Sequence, residues 1–152
     1  MYIPTLDDMK TARERIAPYI HRTPILTSRM LNELTGAELF FKCENLQKAG
    51  AFKARGASNA VFGLTDGQAA RGVATHSSGN HGSCLSYAAG QRGIPCTVVM
   101  PRTAPQAKKD AVRGYGARVV ECEPQPAAVR RSLPRSWQRR GPNSCIPITI
   151  RA

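Results

Sequence analysis

The chain has 152 residues and is 41% hydrophobic, with 22 Lys and Arg side chains against 10 Asp and Glu, which gives a formal net charge of +12. This length supports one modest domain, because a chain of about 150 residues buries roughly 70% of its unfolded surface. No apolar run approaches the roughly 18 residues that a membrane span needs, so a membrane-spanning protein is excluded. The N-terminus does not resemble a secretory signal, and a cytoplasmic location is therefore expected.

The five cysteines and the excess of basic residues set two further limits. The cysteines are odd in number and include no C-x-x-C pair, which argues against a disulfide framework and a zinc site, so most are expected to be buried thiols. A sequence pI near 10.2 is typical of a nucleic-acid binder. The charge is uneven, however, because residues 1–124 hold 16 basic and all 10 acidic side chains, whereas residues 125–152 hold six arginines and no acid.

Secondary-structure signals follow one another along the first 124 residues. Thr5 and Asp8 form a capping-box pattern that predicts a helix start, and Ser28 and Gly36 predict the cap and the stop of a second helix. The remaining predicted elements are a strand at 38–43, a helix at 50–64, strands at 72–76, 96–100 and 117–122, and helices at 81–91 and 106–115. Short apolar strands separated by helices of about ten residues predict an α/β fold in which helices flank a parallel sheet.

The stretch Thr75-His76-Ser77-Ser78-Gly79-Asn80-His81-Gly82 is the most informative in the chain. It joins a predicted strand to a predicted helix and therefore lies at the carboxyl end of a strand, where open α/β sheets bind their ligands. Its small residues let the backbone approach a ligand, and the first amides of the helix suit a carboxylate or a phosphate. The alternative is an ordinary turn in which Ser and Asn cap a helix.

A second candidate site is Lys53, which follows Phe52 in a segment of small residues. A lysine that is desolvated in such a place has a lowered pKa, and its amine is then free to attack an aldehyde. The alternative is an ordinary solvated lysine at the surface. The residues alone leave both interpretations open.

Taken together, ENLQKAGAFKARGA and THSSGNHG closely resemble segments of the pyridoxal-phosphate enzymes of the serine racemase and serine/threonine dehydratase family. The resemblance covers roughly residues 3–123 and implies a tryptophan synthase β-like fold, of which this chain holds an incomplete part, including most of the small domain. It also implies that pyridoxal phosphate is the cofactor and that the full-length form is a homo-oligomer.

The resemblance assigns roles to individual residues. Lys53 is implied to form the Schiff base with pyridoxal phosphate, and Phe52 to border the cofactor ring. Asn80 is implied to donate a hydrogen bond to the phenolic oxygen of the cofactor. The residues implied to surround the substrate carboxylate are Ser77, Ser78, Asn80 and His81.

The implied activity is the deamination of serine or threonine to a 2-oxo acid and ammonia, for which the cofactor acts as an electron sink. Lys53 removes the α-proton, and the β-hydroxyl then leaves. In a serine racemase, which is the nearest alternative, Ser78 returns a proton from the opposite face instead. Both activities use the same residues, so the sequence does not separate them.

The pattern of strands and helices stops at Pro124, and the residues after it are predicted to be a disordered basic tail. The family's glycine-rich phosphate loop, its later contact with the pyridine nitrogen and its acidic metal ligands are missing there, so weak or no cofactor binding is expected. Read one frame away, the codons for 141–151 permit Ala-Glu-Phe-Val-His-Pro-Tyr-Asn-Asp-Pro, which is similar to family dehydratases at this point. We therefore expect a frameshift between about Pro124 and Arg130, and residues 125–152 to be out of frame; sequencing the gene there decides it.

A function of another class is a basic nucleic-acid-binding module formed by the arginines of residues 125–152. The affinity of such a module would fall steeply with salt. The tail holds a single aromatic residue, Trp137, and no recognisable nucleic-acid motif, so a small amino acid is the expected partner and nucleic acid is not.

Overall fold

The structure, a computed structural model, describes residues 3–124 and the backbone of a short strand at Thr149–Ile150. Its α-helices are α1 (Leu6–Ile16), α2 (Arg29–Thr35), α3 (Lys53–Phe62), α4 (Asp66–Ala70), α5 (Asn80–Arg92) and α6 (Gln106–Gly114). Its strands are β1 (Ile25–Leu26), β2 (Phe41–Lys42), β3 (Val73–His76), β4 (Cys96–Pro101), β5 (Arg118–Cys122) and β6 (Thr149–Ile150). Short 3₁₀ turns lie at Ala17–Tyr19, Glu44–Leu46 and Lys48–Gly50.

The described strands form a main sheet in the order β5-β4-β3-β6 and a separate antiparallel pair, β1 with β2. Strands β3, β4 and β5 are parallel to one another, with Val73 opposite Cys96 and Val98 opposite Val119. Strand β6 pairs antiparallel with the other edge of β3. The predicted α/β class with a parallel sheet is confirmed, and the antiparallel edge strand is an addition to it.

Helix α3 packs on α5, and α5 packs on the sheet, which places the core between these layers. The buried face of α3 repeats at helical spacing, and its members are Ala54, Ala57, Ser58 and Val61. Small side chains on this face let the two helices approach closely. On the sheet side, Leu85 of α5 and Val98 of β4 are fully buried. Burial of each such side chain contributes about 1.5–3 kcal/mol.

Both predicted helix starts in the N-terminal segment are confirmed. The Thr5 hydroxyl accepts from the Asp8 amide at 3.3 Å, and the Asp8 carboxylate accepts from the Thr5 amide at 2.7 Å, which completes the capping box of α1. The Ser28 side chain caps α2, which ends at Gly36 with a φ of 68°. These caps satisfy amides and carbonyls that a helix end otherwise leaves unpaired.

Two predicted boundaries are wrong. The strand predicted at 38–43 is only the two residues of β2, because its partner β1 is equally short and the other residues are not paired in the described ladder. The helix predicted from residue 50 begins at Lys53, because Ala49 and Gly50 have φ values of 54° and 65°, which an α-helix does not accommodate.

Among residues 3–124 and β6, no helix is long and apolar enough to cross a membrane. The predicted basic tail lies outside the described residues apart from the backbone of β6, so its disorder, its out-of-frame origin and the domain division at residue 124 stay predictions.

Candidate active site

Lys53 lies at the first position of α3, immediately after a sharp turn. The consecutive left-handed residues Ala49 and Gly50 reverse the chain, and Ala49 is a non-glycine residue in a conformation that costs of order 1 kcal/mol. Phe52 occupies the N-cap position without a side-chain cap and is 62% exposed. The Lys53 side chain is exposed as well. The role implied for Lys53 stays a prediction.

A buried glutamine fixes the segment that precedes this turn. Gln47 is only 4% exposed, and its side chain bonds both backbone groups of His21. Its Oε1 accepts from the His21 amide at 2.8 Å and its Nε2 donates to the His21 carbonyl at 2.8 Å. The same Oε1 accepts from the Lys48 amide at 2.9 Å. This clamp holds the loop that leads to Lys53 against the N-terminal segment.

A carboxylate and a guanidinium support the start of α3 from the other side. The Nε and Nη2 of Arg55 donate to the two oxygens of Glu44 at 2.8 and 2.6 Å, and the Thr23 hydroxyl donates to Glu44 at 2.6 Å. The hydrogen bonds from Arg55 lower the pKa of Glu44 to about 2, and the hydrogen bond from Thr23 acts in the same direction. The pair raises the pKa of Arg55. Arg55 is two residues after Lys53, so the ion pair holds the first turn of α3.

The predicted ligand turn connects β3 to α5. The Ser77 amide donates to the Val99 carbonyl at 3.0 Å, and this bond anchors the turn to β4. The Ser77 hydroxyl accepts from the Gly79 amide at 3.2 Å and donates to the Gly79 carbonyl at 3.4 Å. Ser78 is exposed at the tip, and Asn80 begins the helix. The turn therefore presents Ser78 and Asn80 at the carboxyl end of β3.

Gly82 sets how closely the first turn of α5 approaches the sheet. A Cβ at this buried position would stand 3.0 Å from Cγ1 of Val98 and 3.4 Å from Ser77. A side chain here would push the helix start away from the strand ends. The glycine of the predicted motif therefore has a packing role.

Helices α3 and α5 both begin without a side-chain cap, as does α6, whereas α1, α2 and α4 are capped by Thr5, Ser28 and Thr65. An uncapped helix start leaves backbone amides available to an anionic ligand. Lys53 and Asn80 are the first residues of α3 and α5. In α3, however, the Ala54 and Arg55 amides donate to the Ala51 and Phe52 carbonyls at 3.1 Å, which leaves α5 as the helix start that suits an anion.

Cys84, in the second turn of α5, is buried in the same core cluster as Ala54, the residue after Lys53. Burial raises the pKa of its thiol to about 11, and the nearby ammonium groups of Lys53 and Lys108 act against this rise. Lys108 of α6 also donates from Nζ to Oδ1 of Asn80 at 2.8 Å, one helical turn before Cys84. Lys53 and Lys108 thus bring positive charge near the first turns of α5. In the described part of the chain, neither lysine has a carboxylate partner.

The structure distributes the predicted site residues over two adjacent places. Lys53 and Phe52 lie at the start of α3, and the others, Ser77, Ser78, Asn80 and His81, lie on the β3–α5 turn and the first turn of α5. Sequence reasoning assigned no role to Glu44, Gln47 and Lys108. The first two were visible as polar residues inside the ENLQKAGAFKARGA segment, whereas Lys108 had no signal of its own.

Comparison with known proteins agrees with this geometry. The profile of the pyridoxal-phosphate dependent enzyme family matches residues 16–143. The chain belongs to this family. The matched range runs past Pro124. The out-of-frame origin of residues 125–152 stays a prediction. The cofactor of this family is pyridoxal phosphate.

Two curated relatives and one solved structure are similar over most of the chain. The beta-hydroxyaspartate dehydratase of Paracoccus denitrificans is 76% identical over 124 residues, which are 82% of this chain and 39% of that protein. The serine racemase of Dictyostelium discoideum is 56% identical over 78% of this chain and 37% of its own length. The structure of maize serine racemase superposes with a TM-score of 0.83 at 46% identity and covers 86% of this chain and 40% of that one. The chain spans less than half of the length of these relatives.

The described residues fit one side of the cofactor. Lys53 offers an amine without a hydrogen bond or ion-pair partner in the described part, and Asn80, at the start of the helix on which α3 packs, offers an amide nitrogen. The uncapped start of α5 and two unpaired ammonium groups favour an anionic group at this place. These donors suit an aldehyde that carries an ionised oxygen.

Two further predictions have different outcomes. Among the described cysteines, Cys84, Cys96 and Cys122 are buried and Cys43 is partly buried, and all are free thiols, which confirms the expectation for most of them. The alternative of a nucleic-acid-binding module rests on residues 125–152, which lie outside the described residues apart from the backbone of β6. That alternative stays a prediction.

Proposed function

We propose that this chain is the N-terminal part of a pyridoxal-phosphate-dependent ammonia-lyase that dehydrates a β-hydroxy amino acid to a 2-oxo acid and ammonia. The observation that supports it is the packing of α3, which begins with Lys53, on α5, which begins with Asn80. In this proposal the cofactor, when bound, supplies an electron sink for the substrate α-carbon.

The proposal gives a task to each of the candidate site residues. Lys53 would hold the cofactor through its aldehyde group, and its Nζ would be the base that accepts the α-proton of the substrate. The Asn80 side chain would donate a hydrogen bond to the phenolic oxygen of the cofactor. The first amides of α5, with Ser77 and His81 beside them, bind the substrate carboxylate, because a helix N-terminus favours negative charge.

The substrate class follows from the relatives as much as from the motif. Serine and threonine are the substrates that the resemblance implies, and the 76% identical relative adds the dicarboxylic member β-hydroxyaspartate. Serine racemization is the second candidate, supported by the exposed hydroxyl of Ser78 at the turn and by the 56% identical serine racemase. In that activity Ser78 is the proton donor on the face opposite Lys53.

The test of cofactor capture uses the six lysines of the chain as competing sites. The protein is incubated with pyridoxal phosphate over a concentration series, reduced with borohydride and mapped by peptide mass spectrometry. We expect overall capture to be weak, since the family's glycine-rich phosphate loop is missing after Pro124, so the selectivity of labelling is the measured quantity. Label on Lys53 at lower concentrations than on Lys10, which is also exposed, supports the proposal, and equal labelling of the two overturns it.

The reaction type is tested separately with serine, threonine and β-hydroxyaspartate. Formation of a 2-oxo acid identifies a dehydratase, and inversion at Cα without 2-oxo acid identifies a racemase. A Lys53→Ala variant is the blank for both assays, because it removes the amine that accepts the α-proton. Turnover by this variant equal to that of the unsubstituted chain would exclude Lys53 from the reaction.

A further inference from the structure

A hydrogen bond between α6 and α5 reaches the candidate site from a part of the chain that neither motif includes. Lys108 Nζ donates to Oδ1 of Asn80 at 2.8 Å, although the two residues are 28 positions apart. Asn80 is the first residue of α5 and the residue that the resemblance pairs with the cofactor oxygen. The bond therefore joins an unassigned lysine to an assigned ligand residue.

The chemistry of the two groups fixes which way the amide of Asn80 faces. An ammonium group only donates hydrogen bonds, whereas an asparagine side chain has one accepting oxygen and one donating nitrogen. Lys108 can therefore hold only Oδ1, and the nitrogen Nδ2 is left on the other side of the amide. Among the described residues, Nδ2 has no hydrogen-bond partner. It is thus available as a donor to an external oxygen.

The adjacent lysine shows that anchoring α6 does not require Lys108. Lys109 is 5% exposed, donates to the Arg102 carbonyl at 2.9 Å and pairs with Glu121 at 3.2 Å. Those contacts attach α6 to β5. Lys108 makes no such contact in the described part, and its positive charge is not neutralised by a carboxylate there.

We propose that Lys108 is a positioning residue for the cofactor site: it holds the Asn80 amide so that Nδ2 donates to the ionised oxygen of pyridoxal phosphate. This inference rests on the proposed function. It adds to the motif residues Lys108, which lies 28 positions after Asn80 in the chain. Its charge acts in the same direction, because a nearby ammonium group stabilises an anionic oxygen.

The test compares Lys108→Met, Lys108→Arg and the control Lys10→Met, which removes a lysine at an exposed site in α1. The first readout is the pyridoxal phosphate concentration for half-maximal borohydride-trapped label on Lys53. Loss of a partly exposed, charge-assisted hydrogen bond is worth roughly a factor of ten or less, so we expect Lys108→Met to raise this concentration about three- to tenfold. Lys108→Arg keeps a charged donor and should restore most of the capture.

The second readout needs no cofactor. The side-chain amide resonances of Asn80 are measured by nuclear magnetic resonance in the chain alone, and we expect them to shift in Lys108→Met, to return toward their original positions in Lys108→Arg and to stay unchanged in Lys10→Met. Thermal unfolding of each variant establishes that it is folded. Unshifted resonances in Lys108→Met show that the bond is not formed in solution and overturn the inference.

The outcomes separate the inference from the proposed function. If Lys53 is labelled selectively in the unsubstituted chain and equally well in Lys108→Met, the inference fails and the proposed function stands. If Lys53 is not labelled selectively in the unsubstituted chain, the proposed function fails and the role of Lys108 fails with it.

Discussion

Replacement of Glu44 by Gln tests the contact that holds the first turn of α3 in place. Three hydrogen bonds of 2.6–2.8 Å from Arg55 and Thr23 lower the pKa of Glu44 from 4.5 to about 2. A shift of this size corresponds to about 3 kcal/mol of folding free energy, and partial exposure of the Arg55 side chain reduces the expected value to about 2 kcal/mol. We expect Glu44→Gln to lower the free energy of unfolding by that amount at pH 7.

The pH dependence of this loss follows from the direction of the shift. The pKa of Glu44 is lower in the folded chain than in the unfolded one, so the stabilisation is fully present above about pH 4.5. It is lost as the pH falls through the interval between 4.5 and about 2, where the folded carboxylate takes up its proton. Urea unfolding of the original chain and of the variant, followed by circular dichroism from pH 7 downward, measures the difference.

The matched control for this experiment is Glu33→Gln on α2. Glu33 pairs with Arg29 at 3.0 Å, but the two side chains are 64% and 88% exposed, so the change should cost less than about 0.5 kcal/mol. A stability difference between Glu44→Gln and the original chain that has the same size at pH 7 and pH 3 would refute the argument. So would equal effects of the two substitutions at pH 7.

Three further predictions concern packing, thiol reactivity and exposed surface. Gly82→Ala should lower the free energy of unfolding by about 1–3 kcal/mol, because its Cβ would meet a β4 valine methyl at 3.0 Å. Gly67→Ala, whose Cβ would meet nothing within 4 Å, should raise the free energy of unfolding by up to about 1 kcal/mol. Chemical denaturation of both variants checks the two signs. Among the described cysteines, thiol labelling should reach the partly buried Cys43 first and should be slow at Cys84 and Cys96, since burial raises the pKa of both thiols to about 11. Fast labelling of Cys84 in the folded chain would contradict this. Eleven large apolar side chains of the described residues are exposed in the N-terminal third, so the chain should self-associate, and sedimentation as a monomer at high concentration would count against it.

Local signals were enough to predict most of the elements that position the site. The capping box of Thr5 and Asp8 and the cap and stop of α2 depend on residues within one turn of each other, and the structure has each of them. Strands β3, β4 and β5 are short apolar runs between helices, which is a pattern that a parallel sheet requires. The turn that follows β3 could be recognised for the same reason, because its small residues are contiguous in the chain.

The departures from prediction depend on conformations and partners that are not local. The late start of α3 follows from the positive φ of Ala49, a residue type that gives no warning of a left-handed conformation. The solvated state of Lys53 depends on what covers the start of α3, and the clamp formed by Gln47 depends on the position of His21, 26 residues earlier. Residue type and spacing contain neither piece of information.

Lys108 and Lys109 show most clearly where sequence reasoning ends. The two residues are identical and adjacent, yet a helix rotates by about 100° from one residue to the next, so they face different surroundings. Lys109 is buried against β5 and is neutralised by Glu121, whereas Lys108 reaches across to Asn80 with its charge uncompensated in the described part of the chain. The net charge of the chain counts both lysines equally, although Lys109 is paired with a carboxylate of the sheet and Lys108 contacts a residue of the candidate site. The composition alone does not tell which basic side chains lack a carboxylate partner. The packing of α6 against α5 shows that, in the described part of the chain, Lys108 is one of them.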